Sequence, residues 1–326
     1  MSFSPSKIRV GVLRGGPSPE YEVSLKTGQN ILRNLDEKYI PVDIFVSKSG
    51  VWHENGFEKN PENIIRKIDL AINGMHGSYG EDGTVQKIFE LFGVPYTGSN
   101  SISSNICMNK SASKNLYKKH GIKTPFSITL PFEKLSKKAI KEIYYSIPMP
   151  VVVKPNASGS SVGVYIVHSF PELEEAIVAS SMYSGAVIIE EYIRGKEATC
   201  GVVDSFRNYD HYPLIPIEIR HKKDFFDYDA KYSDNATEEI CPGNFTHEEA
   251  EKIKNMTIEA HKALGLRHYS RSDFIIHPKR GIFILETNSL PGLTEKSLIP
   301  KSLNAIGSNL KEFLNHLIYM VRRDRK

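Results

Sequence analysis

Apolar residues in this chain follow two rhythms. Short unbroken runs rich in Val and Ile alternate with longer stretches in which apolar positions recur every three or four residues, the signatures of buried strands and amphipathic helices. Ile8-Arg9-Val10-Gly11-Val12-Leu13 predicts a short buried strand ended by Gly15-Gly16. Pro17-Ser18-Pro19 then opens a helix carrying Val23, Leu25, Ile31 and Leu32 at helical spacing. Residues 68–72 predict a second strand, and 84–92 a helix with Gly93 at C′. Strand, turn and helix alternating over the first ~100 residues predicts a parallel-sheet domain. Further on, 101–120 reads as one helix closed by Gly121, 151–155 and 164–167 as strands, and 171–182 as an amphipathic helix. A strand is expected at 186–193, a helix at 246–264 ended by Gly265, a helix start around 295–297, and a closing helix at 310–321. From Lys222 to Gly243 the chain is polar and lacks a long apolar period; its aromatics favour a functional lid over disorder.

One pair of runs carries more than fold. Arg271-Ser272-Asp273-Phe274-Ile275-Ile276-His277 and Ile282-Phe283-Ile284-Leu285-Glu286-Thr287-Asn288 flank a Pro-Lys-Arg-Gly turn and predict a hairpin. With the turn at 278–281, His277 pairs with Ile282, Asp273 with Glu286 and Arg271 with Asn288. Side chains alternate faces along a strand, so Arg271, Asp273, Glu286 and Asn288 share one face. Phe274, Ile276, Phe283 and Leu285 share the other, which must lie on a core. Carboxylates directly opposite each other repel. An Asp, Glu and Asn oxygen set is what hard Mg²⁺ uses; the alternative is a solvated face with Arg271 neutralising one acid.

At 326 residues two or three domains are expected. Apolar content of 40% with 25% charged residues is ordinary for a soluble globular protein, and a net charge of +4 with interleaved signs gives no nucleic-acid footprint. Cys107, Cys200 and Cys241 are widely spaced and form no zinc or disulfide pattern, which points to a reducing compartment. No run approaches 18 apolar residues and no basic leader precedes one, so the expected location is the cytoplasm, without membrane insertion.

Several polar positions remain. Glu20 sits at the carboxyl end of the first strand, where open α/β sheets bind ligands, although an acid at a helix start also matches the helix dipole. The glycines there do not spell G-x-G-x-x-G. His76, between Gly74-Met75 and Gly77 just after a strand, is expected to be exposed rather than a satisfied core histidine. Lys154 ends a strand that runs into Asn156-Ala157-Ser158-Gly159-Ser160-Ser161-Val162-Gly163, a small-residue loop able to offer N–H groups and hydroxyls to phosphate, or else a flexible hairpin tip. The Lys precedes the loop and a strand follows it, so it is not a Walker A loop. Glu190-Glu191-Tyr192-Ile193, with Glu197 beyond, forms either an adenine slot or an edge strand with exposed acids. A helix start beside Ser297 offers free N–H groups to a carboxylate.

In this order the motifs resemble the ATP-grasp superfamily, and specifically the D-alanine–D-alanine ligases. The matching stretches are Gly15-Gly16-Pro17-Ser18-Pro19-Glu20-Tyr21-Glu22-Val23-Ser24, Met75-His76-Gly77 with Gly80-Glu81-Asp82-Gly83-Thr84, Lys154-Pro155 with Gly159-Ser160-Ser161-Val162-Gly163, Asp227-Tyr228-Asp229-Ala230-Lys231-Tyr232, Arg271 with Asp273, and Glu286-Thr287-Asn288 with Pro291-Gly292-Leu293-Thr294. The resemblance implies an α/β protein of three-domain ATP-grasp architecture: an N-terminal parallel-sheet domain (1–100) and two α+β domains (101–185 and 186–326) enclosing the nucleotide. Lys110, Lys154 and Lys231, with Ser160 and Ser161, would hold phosphates; Glu190, Glu191, Tyr192, Ile193 and Glu197 would hold adenine and ribose. Asp273, Glu286 and Asn288 would hold two Mg²⁺ ions, with Mn²⁺ as the alternative. Glu20, near His76, would bind the ammonium of the first D-alanine, with Ser160 and Tyr232 beside it. Ser297 and Leu298 would meet the second D-alanine, and Arg271 and the Gly292 N–H would stabilise an oxyanion. The implied reaction is ATP-dependent formation of D-alanyl-D-alanine through an acyl phosphate, for peptidoglycan precursors. Two departures stand out: Ser289 replaces the usual Thr, and Ser272 the usual apolar residue, which leaves the second-substrate pocket open. Tyr232 goes with an amine acceptor in the family and argues against D-lactate. The competing readings are an ATP-grasp ligase with another acceptor, D-serine among them, and a nucleotide-binding regulator without turnover. A homodimer is left open.

Overall fold

The computed structural model describes residues 7–160, 162–221 and 237–324. The chain begins with β1 (Ile8–Gly15), α1 (Tyr21–Asn34), β2 (Tyr39–Val46), β3 (Trp52–Glu54), β4 (Phe57–Glu58), α2 (Pro61–Ile65), β5 (Leu70–Asn73) and α3 (Thr84–Leu91). These strands form one sheet in the order β4-β3-β2-β1-β5, parallel across β2, β1 and β5. β1 is covered on both faces: Val10 and Val12 pack toward α1 and the C-terminal helix, and Leu13 packs with Ile44, Val85 and Phe89. A continuous apolar run is what such a strand requires. The inner face of α1 differs from expectation, because Val23 is exposed while Ser24, Thr27, Gly28, Asn30 and Ile31 are buried. Only a small residue lets the helix approach at Gly28, where a Cβ would come within 2.4 Å of the Arg14 Cβ.

The single helix expected over 101–120 is two, α4 (Ser101–Met108) and α5 (Lys110–Lys119). Asn109 breaks it: its backbone is extended and its side chain accepts from the Ala112 N–H, capping α5. The break places Lys110 at a helix start, with its N–H bonded to the carbonyl of Asn156.

The second sheet is antiparallel throughout, built from β6 (Ser127–Pro131), α6 (Lys137–Ser146), β7 (Val151–Pro155), β8 (Tyr165–Val167), α7 (Phe170–Ser181) and β9 (Ala186–Glu191) in the strand order β6-β9-β7-β8. Helices α6 and α7 bury Ile140, Ile143, Leu173 and Ile177 against Val151, Val153 and Ile189. The third sheet collects β10 (Lys196–Asp204), β11 (His211–Pro213), β12 (Ile217–His221), β13 (Thr237–Ile240), β14 (Tyr269–His277) and β15 (Gly281–Asn288), with α8 (His247–Ala263) packed on it. A capping box between Thr246 and Glu249 starts α8. The chain ends with α9 (Leu298–Ala305) and α10 (Leu310–Arg323).

Sequence order and packing part company in two places. The strand 186–191, assigned above to the last domain, pairs inside the second sheet. Cys107, Tyr117 and Ile122, assigned to the middle domain, pack with Phe274, Ile276 and Ile284 under the third. Within the polar stretch 222–243, Thr237–Ile240 forms β13; the aromatic segment 222–236, with Lys231 and Tyr232, lies outside the described residues, as does Ser161. Among the described residues no helix is long and apolar enough to cross a membrane, and all three cysteines are free.

Candidate active site

A cleft of about 520 Å³ opens between the second and third sheets. Lys154 on β7, the loop after it and Glu190 on β9 form one wall. Glu197 and Thr199 on β10, Arg271 and Asp273 on β14 and Glu286 on β15 form the other, with Lys110 and Leu298 at the margins.

The hairpin holds the expected outer register, Asp273 opposite Glu286 and Arg271 opposite Asn288. Its inner register differs. His277 pairs with Gly281 and Ile276 with Ile282, and a bulge between Asp273 and Phe274 takes up the extra residue. The shift puts Phe274, Ile276, Ile282 and Ile284 into the core beneath, while Leu285, expected on that apolar face, lines the cleft instead. Phe283 is buried under the Lys123 and Arg280 cations.

Each charge on this wall has a partner. Arg271 Nε and Nη2 donate to the two carboxylate oxygens of Asp273 at 3.1 Å. The Thr199 hydroxyl adds a 2.6 Å bond to Asp273 Oδ1. Burial opposes the Arg271 charge, but Asp273 and Glu286 more than compensate and raise its pKa. Lys110 Nζ lies 3.0 Å from Glu286 Oε2 and donates to the Ser158 carbonyl. Asn288 Oδ1 accepts the Leu290 N–H, which fixes the turn after β15. Two carboxylates and an amide oxygen on neighbouring positions of one face make an all-oxygen donor set suited to Mg²⁺.

Across the cleft, Glu190 is buried between two lysines, 3.0 Å from Lys154 Nζ and 3.1 Å from Lys114 Nζ. β9 lies between β6 and β7, which rules out the edge strand with exposed acids. Burial works to raise the Glu190 pKa, and the two lysines overcome it and hold it low. Lys154 is likewise held charged against burial by Glu190 and Glu286. Lys114 loses that contest: burial, with Lys154 close by, brings it down to about 8. Glu191, also on the cleft lining, has its carboxylate bound to Arg280 and to the Phe126 N–H. Tyr192 and Ile193 line the cleft after it, and Glu197 is hydrogen-bonded to His221.

Glu20 closes one end of the site. The Ser160 hydroxyl donates to Glu20 Oε1, and Cβ atoms at Gly77 or Gly159 would come within 2.7 and 2.9 Å of Oε2. The small-residue loop thus meets the first domain at Glu20, with Gly159 so close that a side chain there would push the carboxylate aside. Burial and nearby Glu81 raise the Glu20 pKa. His76, expected to be exposed, is instead 4% exposed with both ring nitrogens engaged. Nδ1 contacts Glu81 at 3.0 Å and Nε2 contacts Thr27 at 2.8 Å. A carboxylate only accepts, so Nδ1 carries the proton and Nε2 receives the Thr27 hydroxyl. Gly77, with φ +72°, turns the loop inward onto α1.

Gly292 abuts Ser297 and the His76 ring, and a Cβ there would come within 2.9 Å of Ser297 Oγ. Ser297 is the N-cap of α9 without a side-chain cap bond, its hydroxyl being held by Thr294. Ser272, the unusual residue inside the hairpin, faces away from the cleft and is buried against the Thr287 hydroxyl, which also receives the Tyr117 hydroxyl. Pattern reading had singled out neither Lys114 nor Asn109. A buried lysine on a helix carries no local signature, whereas Asn before Lys-Ser at the break has the form of an N-cap.

Comparison with known proteins agrees with this geometry. A D-ala D-ala ligase C-terminus model matches residues 116–319, and the corresponding N-terminus model matches 9–64 and 53–99. A D-alanine–D-alanine ligase of Bacillus anthracis is 39% identical over 98% of this chain and 99% of its own length. One of Clostridium beijerinckii is 37% identical over 95% and 97%. Among solved structures, a B. anthracis D-alanine–D-alanine ligase complexed with ATP gives a TM-score of 0.80 at 34% identity, covering 98% of both chains. The VanG D-Ala:D-Ser ligase of Enterococcus faecalis gives 0.85 at 30% identity, over 97% of this chain and 99% of that one. Matched along nearly its whole length by models, relatives and folds of one kind, the chain is a member of the D-alanine–D-alanine ligase family.

Proposed function

We propose that this protein joins two D-alanine molecules in the cytoplasm, with ATP converted to ADP and phosphate. The observation that carries the reading is the convergence of Lys110, Lys154, Arg271, Asp273 and Glu286 on one cleft that the Ser160 loop connects to Glu20. In this reading Glu20 holds the first ammonium, and His76, fixed by Glu81 and Thr27, backs it. A carboxylate is a poor electrophile, so its oxygen first attacks the γ-phosphorus, releasing ADP and leaving an acyl phosphate. Lys110 and Lys154 offset charge on the phosphates. Asp273, Glu286 and Asn288 fit Mg²⁺, or Mn²⁺ as the alternative, which when bound supplies Lewis-acid neutralisation of phosphate charge. The second D-alanine, its carboxylate at the start of α9 beside Ser297 and Leu298, attacks the acyl carbon through its amine. With Nε and Nη2 of Arg271 bonded to Asp273, Nη1 is left to donate to the tetrahedral oxyanion, together with the Gly292 N–H; one such donor is worth roughly 3–4 kcal/mol. Phosphate leaves, the amine loses a proton and the peptide forms. Glu190 sets the adenine end, with the main chain at 191–193.

The test is purified protein with Mg-ATP and single amino acids, read as phosphate release and as D-alanyl-D-alanine by mass spectrometry. Release should depend on D-alanine, with D-serine and D-lactate the poorer acceptors. Phosphate release without amino-acid dependence would overturn the ligase reading; a preference for D-serine would move the acceptor alone.

A further inference from the structure

Away from the cleft, at the far end of β10, a second group of side chains converges. Asp204 and His211 are cross-strand partners in the β10–β11 ladder, which puts both side chains on one face. His211 Nδ1 lies 2.7 Å from Asp204 Oδ1. From α8, His261 directs Nε2 to the same oxygen at 3.2 Å. One donor atom from each residue falls within 4.8 Å of the other two. In a tetrahedral zinc site with bonds of about 2.0–2.1 Å, neighbouring ligand atoms stand about 3.3 Å apart, and both contacts to Asp204 lie within about 0.6 Å of that spacing. We propose that Asp204, His211 and His261 form a binding site for a divalent transition-metal ion of the Zn²⁺, Co²⁺ or Ni²⁺ class, separate from the nucleotide cleft.

Three features go beyond proximity. First, the ligands are held from behind. His261 Nδ1 meets the buried Ser270 hydroxyl at 2.8 Å, the His268 N–H donates to Asp204 Oδ2 at 2.6 Å, and His316 Nε2 donates to the Asp204 carbonyl at 2.7 Å. Outer partners of this kind orient metal ligands and fix their tautomers. Second, protons balance without net loss from neutral imidazoles. Without an ion the Asp204 carboxylate only accepts, so His211 Nδ1 and His261 Nε2 carry their hydrogens toward it. On metal binding each ring shifts its hydrogen to its outer nitrogen, that of His261 then donating to Ser270. Both inward nitrogens then present lone pairs to the ion. Third, the His211 side chain is 26% exposed, which gives an ion a path of entry and a water the remaining position. Two imidazoles and one carboxylate favour Zn²⁺, Co²⁺ or Ni²⁺ over Mg²⁺, which prefers oxygen and keeps its waters. Glu197, at the cleft, is seven residues back along β10, roughly 23 Å at ~3.3 Å per residue. The ion therefore ties β10, β11 and α8 together and takes no part in the ligation.

The experiment uses the full chain with saturating Mg²⁺ and ADP, so that the cleft carboxylates are occupied. Co²⁺ titration followed by visible absorption, and Zn²⁺ titration against a chromophoric chelator, report binding; thermal unfolding reports stability. The expected result is one equivalent of Co²⁺ with the absorption of a four-coordinate site, and a midpoint that rises with Zn²⁺ and not with added Mg²⁺. His211→Ala, at a partly exposed position, should retain ligase turnover and lose affinity at least about tenfold, a loss seen even for outer-shell changes. Asp204→Asn is the second variant and should show the same loss. Failure to bind Zn²⁺ at 100-fold excess, or binding unchanged in both variants, would overturn the site and leave a hydrogen-bonded His–Asp–His node.

Discussion

Replacing Glu190 by Gln keeps the volume of the side chain and removes the charge between two buried ammonium groups. Glu190 is 2% exposed, with Lys154 and Lys114 at 3.0 and 3.1 Å. Breaking such a pair from one side typically costs about 3–5 kcal/mol, because the remaining charge is buried without compensation. Deprotonation sets a ceiling. Keeping one lysine neutral at pH 7, against an unfolded pKa of about 10.4, costs about 4.6 kcal/mol at 1.36 kcal/mol per unit. That ceiling applies mainly to Lys154, whose pKa Glu190 now holds up. Lys114, already down at about 8, adds no more than about 1.4 kcal/mol before it too is neutral. The neighbouring Glu191→Gln breaks a pair with half-exposed Arg280 and should cost at most about 1 kcal/mol. Urea unfolding of wild type and both variants, extrapolated linearly to water, makes the comparison. Saturating Mg-ATP should restore more stability to Glu190→Gln than to wild type, because phosphate takes over part of the charge opposite Lys154. A Glu190→Gln loss no larger than that of Glu191→Gln would refute the reasoning.

Three further outcomes follow from particular contacts. Glu286→Gln should lower kcat by at least about a hundredfold, through lost stabilisation of phosphate charge, while its unfolding midpoint stays close to wild type; near-normal turnover would remove the metal assignment. Gly292→Ala places a Cβ within 2.9 Å of Ser297 Oγ and should lower kcat/KM for D-alanine roughly ten- to a hundredfold, with unaltered kinetics counting against the placement of the second substrate. His268 is pushed down to about 4 by burial and by Arg267, with Asp324 restoring part. The unfolded imidazole takes its proton below about 6.5 and the folded one does not, so stability is complete above that pH and falls as pH drops toward 4. At pH 5 the loss is roughly 2 kcal/mol. His268→Asn, whose amide oxygen can still accept the Gly98 N–H that Nδ1 now accepts, should flatten the pH dependence of unfolding between 7.5 and 5.

The carboxylate pair on the hairpin was legible because period-two alternation and a turn-forming tetrapeptide are local features. Counting outward from the turn nevertheless misplaced every inner pair. The loop is one residue shorter than counted, and the bulge at Asp273/Phe274 restores that residue just before the functional pair. No glycine marks the bulge, so residue type carried no warning; the burial of Ile282 and Ile284 in place of Leu285 records it. His76 misled for a related reason. Flanking glycines suggest an open turn, but here they let the loop fold tightly onto α1 and Glu81, and the ring is consumed by hydrogen bonds. Lys114 shows a different limit. Its partner is seventy-six residues away on β9, and only the packing of α5 against the second and third sheets brings the two together.

The arrangement of charges also bears on the order in which the proposed ligands act on one another. Lys110 is engaged by Glu286, Lys154 by Glu190 and Arg271 by Asp273, so the cleft satisfies its own ions in pairs. A nucleotide tail arriving alone competes with Glu286 for Lys110. A divalent cation arriving alone competes with Lys110 for Glu286 and with Arg271 for Asp273. When both arrive, Glu286 turns to the cation and Lys110 to the phosphates, while Asp273 shares its lone pairs between the cation and Arg271. Binding of each therefore favours the other by the same factor, as linkage requires. The coupling originates in side chains that already hold each other at 3.0 to 3.1 Å, and it requires no movement of the strands that carry them.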